Sequence, residues 1–168
     1  MEPPTALVVM AKQPRSGYTK TRLCPPFSHQ QAAEFYTALL LDTLTLAGSL
    51  SGVRLAVAFT PALAWDYFQQ VAPPGTLLFA VEGADIGECL AQTMEFLFSA
   101  GYRQVIALNS DGPSLPREYL LRALRLLQAH DVVVGPGEDG GYYLIGLSQF
   151  HAEIFRQIPW STADVLAY

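Results

Sequence analysis

Short apolar runs alternate with longer segments whose apolar positions recur every three or four residues. Residues 6–11, ALVVMA, form a continuous apolar run with two β-branched residues. Such a run predicts a strand buried on both faces. The runs 53–60, 76–81 and 104–109 (VRLAVAFT, TLLFAV, QVIALN) have the same character, as do 131–135 and 141–147. Between them, Ala32, Phe35, Tyr36, Leu39, Leu40, Thr43 and Leu44 repeat at helical spacing after Ser28 and Gln31. The Ser and Gln, three apart, form a helix-start signature, and Gly48 and Gly52 mark its end. Further helices are predicted after Pro61, over 85–101 and over 117–130, with a weak one at 151–157. Ser114 is the expected cap of the 117–130 helix. Phe35, Tyr36 and Trp65 read as core.

Strand and helix therefore alternate, which predicts a single three-layer α/β/α domain over 1–168 with a mostly parallel, mixed sheet. The closeness of the last two strands allows one antiparallel pair. Composition narrows the class. The chain is 51% hydrophobic and 15% charged, with a formal charge of -5. It can bury a core, and it has no broad basic surface for nucleic acid. No apolar run reaches the roughly 18–20 residues of a membrane span. The reading is a cytoplasmic protein. Cys24 and Cys89 are far apart and lack zinc-site spacing.

Against this acidic background, residues 12–22 hold four of the ten Lys and Arg residues: Lys12, Arg15, Lys20 and Arg22. They follow the first strand, and ligands of open parallel sheets bind beyond the strands' carboxyl ends. Gly17 lets backbone N–H groups approach an anion, and Arg grips phosphate oxygens with two donors. Neither the Walker A pattern nor the dinucleotide Gly-x-Gly-x-x-Gly pattern is present. Two more polar stretches sit at strand ends: NSDGPSLP (109–116) and GPGEDGGYY (135–143). Asp111 suits a hard divalent cation, which uses one or two carboxylates plus substrate phosphates. Glu138, Asp139, Gly140 and Gly141 suit either an anion-binding concavity or an ordinary turn. Of Tyr142 and Tyr143, one should face the core and the other the rim. Trp160, followed by Ser161, either lids that rim or packs.

Together MAKQPRSGYTKTRL, NSDGPSLP and DGGYYLIGL, ending in IPWST, resemble the bacterial glycosyltransferase-like family called radical-SAM/selenodomain-associated transferases. The resemblance runs from about residue 6 to 166 and implies the nucleotide-diphospho-sugar transferase (GT-A) fold. The Lys20-Thr21-Arg22-Leu23 segment is also similar to the loop of 2-phospho-lactate guanylyltransferases. The resemblance implies that Lys20 and Arg22 bind nucleotide phosphates. It implies that Asp111 binds Mg²⁺ or Mn²⁺, with Asp139 as a second ligand. Two departures stand out. Asn109-Ser110-Asp111 replaces the common Asp-x-Asp, and Cys89 stands where relatives usually carry Arg. Relatives also continue past Thr162 to another strand, so a C-terminal strand is expected to be missing.

The expected function is metal-dependent transfer from a nucleotide-activated substrate to a small acceptor, with glycosyl transfer placed slightly ahead of nucleotidyl transfer. Lys20, Arg22 and Asp111 carry the chemistry in this reading. Lys12, Arg15 and Gly17 help hold phosphates. Glu138, Asp139, Gly140, Gly141, Tyr142, Trp160 and Ser161 line the acceptor side. A non-catalytic nucleotide-binding module is the rival reading. The base, the acceptor and the oligomeric state are not encoded legibly.

Overall fold

The computed structural model describes residues 5–168. Its centre is a six-stranded sheet built from β1 (Thr5–Lys12), β2 (Arg54–Thr60), β3 (Leu77–Ala80), β4 (Gln104–Asn109), β5 (Val132–Pro136) and β6 (Tyr142–Leu147). The order is β3-β2-β1-β4-β6-β5. Strands β1 to β4 pair in parallel. Strand β6 lies between β4 and β5 and runs antiparallel to both. Two antiparallel ladders therefore replace the single expected pair, because one reversed strand is inserted rather than appended.

The helices are α1 (His29–Gly48), α2 (Trp65–Val71), α3 (Ile86–Ser99) and α4 (Arg117–Leu126). Strand β1 shows why two layers are needed. Leu7, Val9 and Ala11 point into one core, and Ala6, Val8 and Met10 into the other. The first core also takes Leu40 and Leu44 of α1, Phe68 of α2 and Leu120 of α4. The second takes Leu90, Met94 and Leu97 of α3, together with Phe155 of the C-terminal segment. Burial on both faces is what makes the β1 sequence continuously apolar instead of alternating.

Local signals set the helix ends. Ser28 caps α1 through a reciprocal pair: its Oγ accepts from Gln31 N at 3.1 Å, and Gln31 Oε1 accepts from Ser28 N at 2.9 Å. Asp85 caps α3, accepting from Glu88 N at 2.9 Å. Ser114 does not cap α4. Pro116 occupies that position without a side-chain bond, and α4 ends four residues earlier than the 117–130 pattern predicts. Phe35 and Trp65 also depart from expectation, being 46% and 43% exposed. Trp65 lies at the core's margin, its ring centre 5.9 Å from that of buried Phe59, and only Tyr36 of the three is buried.

The order of strands reverses between β1 and β4. One connection leaves β1 toward β2, and the later chain returns to β4 on the other side. This switch point leaves a crevice beyond the two carboxyl ends. Because β5 runs with β4, the loop after β5 opens at the same edge.

Candidate functional site at the carboxyl edge

Three chain segments meet at this edge, as their positions after β1, β4 and β5 require. The β1–α1 loop is stitched internally. Thr19 is buried; its Oγ1 donates to Arg15 O at 2.9 Å and accepts from Arg15 N at 3.0 Å. Tyr18 N and Thr19 N donate to Arg15 O as well. Among the described residues, the N–H groups of Ser16, Gly17 and Lys20 have no protein partner. Gly17 has φ +81°, and a Cβ there would meet nothing within 4 Å. Its glycine is required by backbone conformation, not by packing, so the loop's donors stay approachable.

Lys20 lies in the left-handed region, φ 52°, just before a 3₁₀ turn at Thr21–Leu23. For a long side chain this conformation is uncommon, and such residues concentrate at functional sites. From it, Lys20 Nζ makes an ion pair with Asp111 Oδ2. Both side chains are about one-third exposed, at 32% and 33%. The basic loop and the acid after β4 therefore meet side chain to side chain.

A tyrosine from α1 fixes the floor of this arrangement. Tyr36 Oη shares a 2.7 Å hydrogen bond with Ser110 Oγ and accepts from Lys12 N at 3.1 Å. It thereby ties the end of β1 to the residue preceding Asp111. Lys20 Nζ lies 5.8 Å from the ring centre. Burial pushes the Tyr36 hydroxyl pKa up, with the Ser110 and Lys12 hydrogen bonds opposing. It remains protonated through neutral pH. Sequence reasoning placed Tyr36 in the core and missed this role. Its place on the apolar stripe of α1 hides the polar end.

Next to this pair is a cavity of about 390 Å³. Its floor is apolar, with Met10, Leu90, Ala107 and Ile145, and its walls include Tyr142, Tyr143 and Trp160. Arg22, Asn109, Asp139 and Ser161 supply its polar edge. Both tyrosines are half-buried, and they flank the sheet on opposite sides: Tyr142 packs with the α3 core and Tyr143 with the α1 core. Burial pushes the Tyr142 hydroxyl well above its ordinary range.

Close contacts to glycine hold the far wall. Trp160 seats its indole on Gly87, the second residue of α3, where a Cβ would fall 2.0 Å from Trp160 Nε1. Gly140 has φ +81°, and its Cβ would fall 1.8 Å from Ala163 O. Leu166 N then donates to Gly140 O at 3.0 Å. Gly87 and Ala163 were not singled out by sequence; nothing local marks them, since their meaning comes from a contact across the chain.

The remaining expected site residues divide. Lys12 is exposed at the end of β1, and Arg15 lies over the Tyr18 ring at 4.5 Å. Glu138 is exposed and does not line the cavity. Asp139 lines the cavity and accepts from Gly141 N at 3.1 Å, closing the turn that Gly137 N and Gly141 O also close at 2.8 Å. Burial raises the Cys89 thiol pKa, and Lys12 opposes that rise. Among the described residues, no three His, Cys, Asp or Glu side chains cluster to hold a metal ion. Asp111 by itself is a hard oxygen donor paired with Lys20, which suits an ion that arrives already coordinated to phosphates.

A reversed strand inserted in a parallel sheet, with a basic loop and an acid at its switch point, defines a nucleotide-diphospho-sugar transferase-like domain. Residues 43–162 match the family described as "Uncharacterized protein conserved in bacteria (DUF2064)", and the chain belongs to that family. A solved Desulfovibrio desulfuricans G20 protein, provisionally named a nucleotide-diphospho-sugar transferase, superimposes with a TM-score of 0.90 at 33% identity. That likeness covers 99% of this chain and 73% of the other. The chain is also 29% identical over 134 residues to a phosphoenolpyruvate guanylyltransferase of Mycolicibacterium paratuberculosis. The match covers 74% of this chain and 57% of that relative's length. Rv0371c of Mycobacterium tuberculosis H37Rv, solved as a manganese complex, shares the fold at 17% identity and a TM-score of 0.57. It is covered over 77% of its length, against 94% of this chain. Among the described residues, no helix is long and apolar enough to cross a membrane.

Proposed function

We propose that this protein is a metal-dependent transferase that takes a nucleotide-activated donor at the β1–β4 crevice and a small acceptor in the adjoining cavity. The observation that carries the reading is the ion pair of Lys20 with Asp111 across the switch point. It supports the reading because Lys20, proposed to bind phosphate, and Asp111, proposed to bind the metal, lie within one ligand's reach. The manganese complex of the fold neighbour supports a divalent ion. Asp111 would hold it, and Asp139 is the candidate second ligand. When bound, such an ion neutralises phosphate charge and polarises the bond to the leaving group.

The chain's own groups do the rest. The N–H groups of Ser16, Gly17 and Lys20 hold phosphate oxygens, and Lys12 and Arg15 add positive field. Lys20 moves its ammonium from Asp111 to the departing phosphate, where charge grows in the transition state. Tyr36 keeps the two strand ends in register while this exchange occurs. The aromatic walls exclude water that would compete with the acceptor.

Nucleotidyl transfer now stands ahead of glycosyl transfer, reversing the order read from sequence. The guanylyltransferase relative favours it. In that reaction an acceptor oxygen attacks the α-phosphorus, and the bond to pyrophosphate breaks. Glycosyl transfer is the second reading, favoured by the name of the Desulfovibrio protein. There the acceptor attacks the sugar carbon, and nucleoside diphosphate leaves. The resemblance to radical-SAM/selenodomain-associated transferases and a cytoplasmic setting belong to this proposal too. Incubation with nucleoside triphosphates, nucleotide sugars and Mg²⁺ or Mn²⁺ tests it. Acceptor-dependent pyrophosphate release supports nucleotidyl transfer. Acceptor-dependent nucleoside diphosphate release from a nucleotide sugar supports the second reading. Metal-independent binding without either product points to the binding module instead.

A further inference from the structure

Lys20 and Arg22 are two residues apart, and the sequence treats them as one phosphate clamp. The structure separates them. The left-handed backbone at Lys20, followed by the 3₁₀ turn, sends the Lys20 ammonium to Asp111. Arg22 instead lines the aromatic cavity, of which neither Lys20 nor Asp111 is a wall. Arg22 is exposed, and among the described residues its guanidinium makes no ion pair or hydrogen bond with protein. The other charged group on the cavity is Asp139, whose Oδ1 accepts from Gly141 N at 3.1 Å and whose second carboxylate oxygen has no protein partner among the described residues. The hydroxyl of Thr162 is likewise used, donating to Pro159 O at 2.7 Å. Asn109 Nδ2 donates to Tyr142 O at 3.3 Å.

The cavity thus combines an apolar floor, flat aromatic walls, a guanidinium without a protein partner and, on the β5–β6 side, the Asp139 carboxylate. We infer that it is a subsite for a small anionic molecule, a carboxylate or phosphate ester with a compact apolar or planar body. In this assignment Arg22 grips the anionic group of the acceptor, while Lys20 serves the donor. The donor and acceptor roles rest on the function proposed above; the anion subsite itself rests on the cavity alone. A fork of N–H donors grips a carboxylate or phosphate with two parallel bonds, which Lys cannot do. At about 390 Å³ the cavity holds a small metabolite.

The test uses the full chain without nucleotide, in a Trp65→Phe background that leaves Trp160 as the fluorescent reporter on the cavity wall. Phosphoglycolate, glycolate and neutral ethylene glycol are titrated against it. In parallel, calorimetry measures affinity for the tightest member of a panel of Mg²⁺-nucleotides. The two anions should shift Trp160 emission and ethylene glycol should not. Arg22→Met should weaken the anions about tenfold or more, the scale of one lost charge-assisted pair, while nucleotide affinity changes less than about twofold. Arg22→Lys should recover part of the loss. Lys20→Met should do the reverse, weakening nucleotide and sparing the anions. The inference is overturned if neither anion moves the Trp160 signal, if ethylene glycol moves it equally, or if Arg22→Met weakens nucleotide as much as Lys20→Met does. Should no nucleotide bind while phosphoglycolate binding depends on Arg22, the transferase reading fails and the anion subsite stands.

Discussion

Two glycine-bearing loops sit on the same edge of the sheet and carry the same backbone signature. Gly17 and Gly140 both have φ +81°. At Gly17 an added Cβ meets nothing within 4 Å, whereas at Gly140 it lies 1.8 Å from a backbone oxygen. The first loop is open and lined with cations. The second is closed by its own turn and by the C-terminal segment. A glycine that turns the chain in open space leaves its amides for a ligand. A glycine under a neighbouring backbone holds a wall in place. Under the proposed function, the difference gives ligand capture to the β1–α1 loop and support of the cavity wall to the β5–β6 loop.

The contrast can be broken by substitution. Gly140→Ala should have the largest effect on stability. The clash is with backbone, not with a flexible tip, and it adds to the cost of a side chain at positive φ. Together these should exceed about 3 kcal/mol, read as a large fall in Tm and loss of Trp160 burial. Tyr36→Phe comes next. It leaves buried Ser110 and the Lys12 N–H without their partner, costing about 1–3 kcal/mol. Because it loosens the strand end before Asp111, metal-dependent nucleotide affinity should fall with it. Gly17→Ala should cost only about 1–2 kcal/mol in a chemical-denaturation midpoint, yet weaken nucleotide measurably, since the loop changes where phosphate approaches. A Gly17→Ala loss of stability as large as that of Gly140→Ala would erase the distinction between the loops. Smallest is Ser28→Ala, which removes the capping box behind the basic loop. It should lower stability by about 1 kcal/mol, with nucleotide affinity unchanged.

Much of this architecture was legible beforehand, for identifiable reasons. The continuous apolar run at 6–11 announced a doubly covered strand because both faces of β1 are buried. The Ser28–Gln31 spacing announced the start of α1 because that cap is local. The resemblance drew the basic loop and Asp111 into one site, and the Lys20–Asp111 ion pair puts them together. What stayed hidden depends on distance in sequence. Insertion of β6 between β4 and β5 cannot be read from two adjacent strand patterns. Tyr36 announces itself as core because only its hydroxyl leaves the apolar stripe. Seating of Trp160 on Gly87 joins residues more than seventy positions apart, and no period or motif encodes it. The divergence of Lys20 from Arg22 arises from one left-handed residue, which a lysine does not advertise. Cap placement at α4 failed for the opposite reason: Ser114 fits the pattern, but Pro116 occupies the cap position.

The central claim is that Lys20 and Asp111 form the charge pair that a metal-bound nucleotide engages. Calorimetric titration of nucleotide into wild type and Asp111→Asn, each with and without Mn²⁺, tests it most directly. The account predicts that Mn²⁺ strengthens nucleotide binding to wild type and that Asp111→Asn abolishes this enhancement. Equal enhancement in both proteins would contradict it.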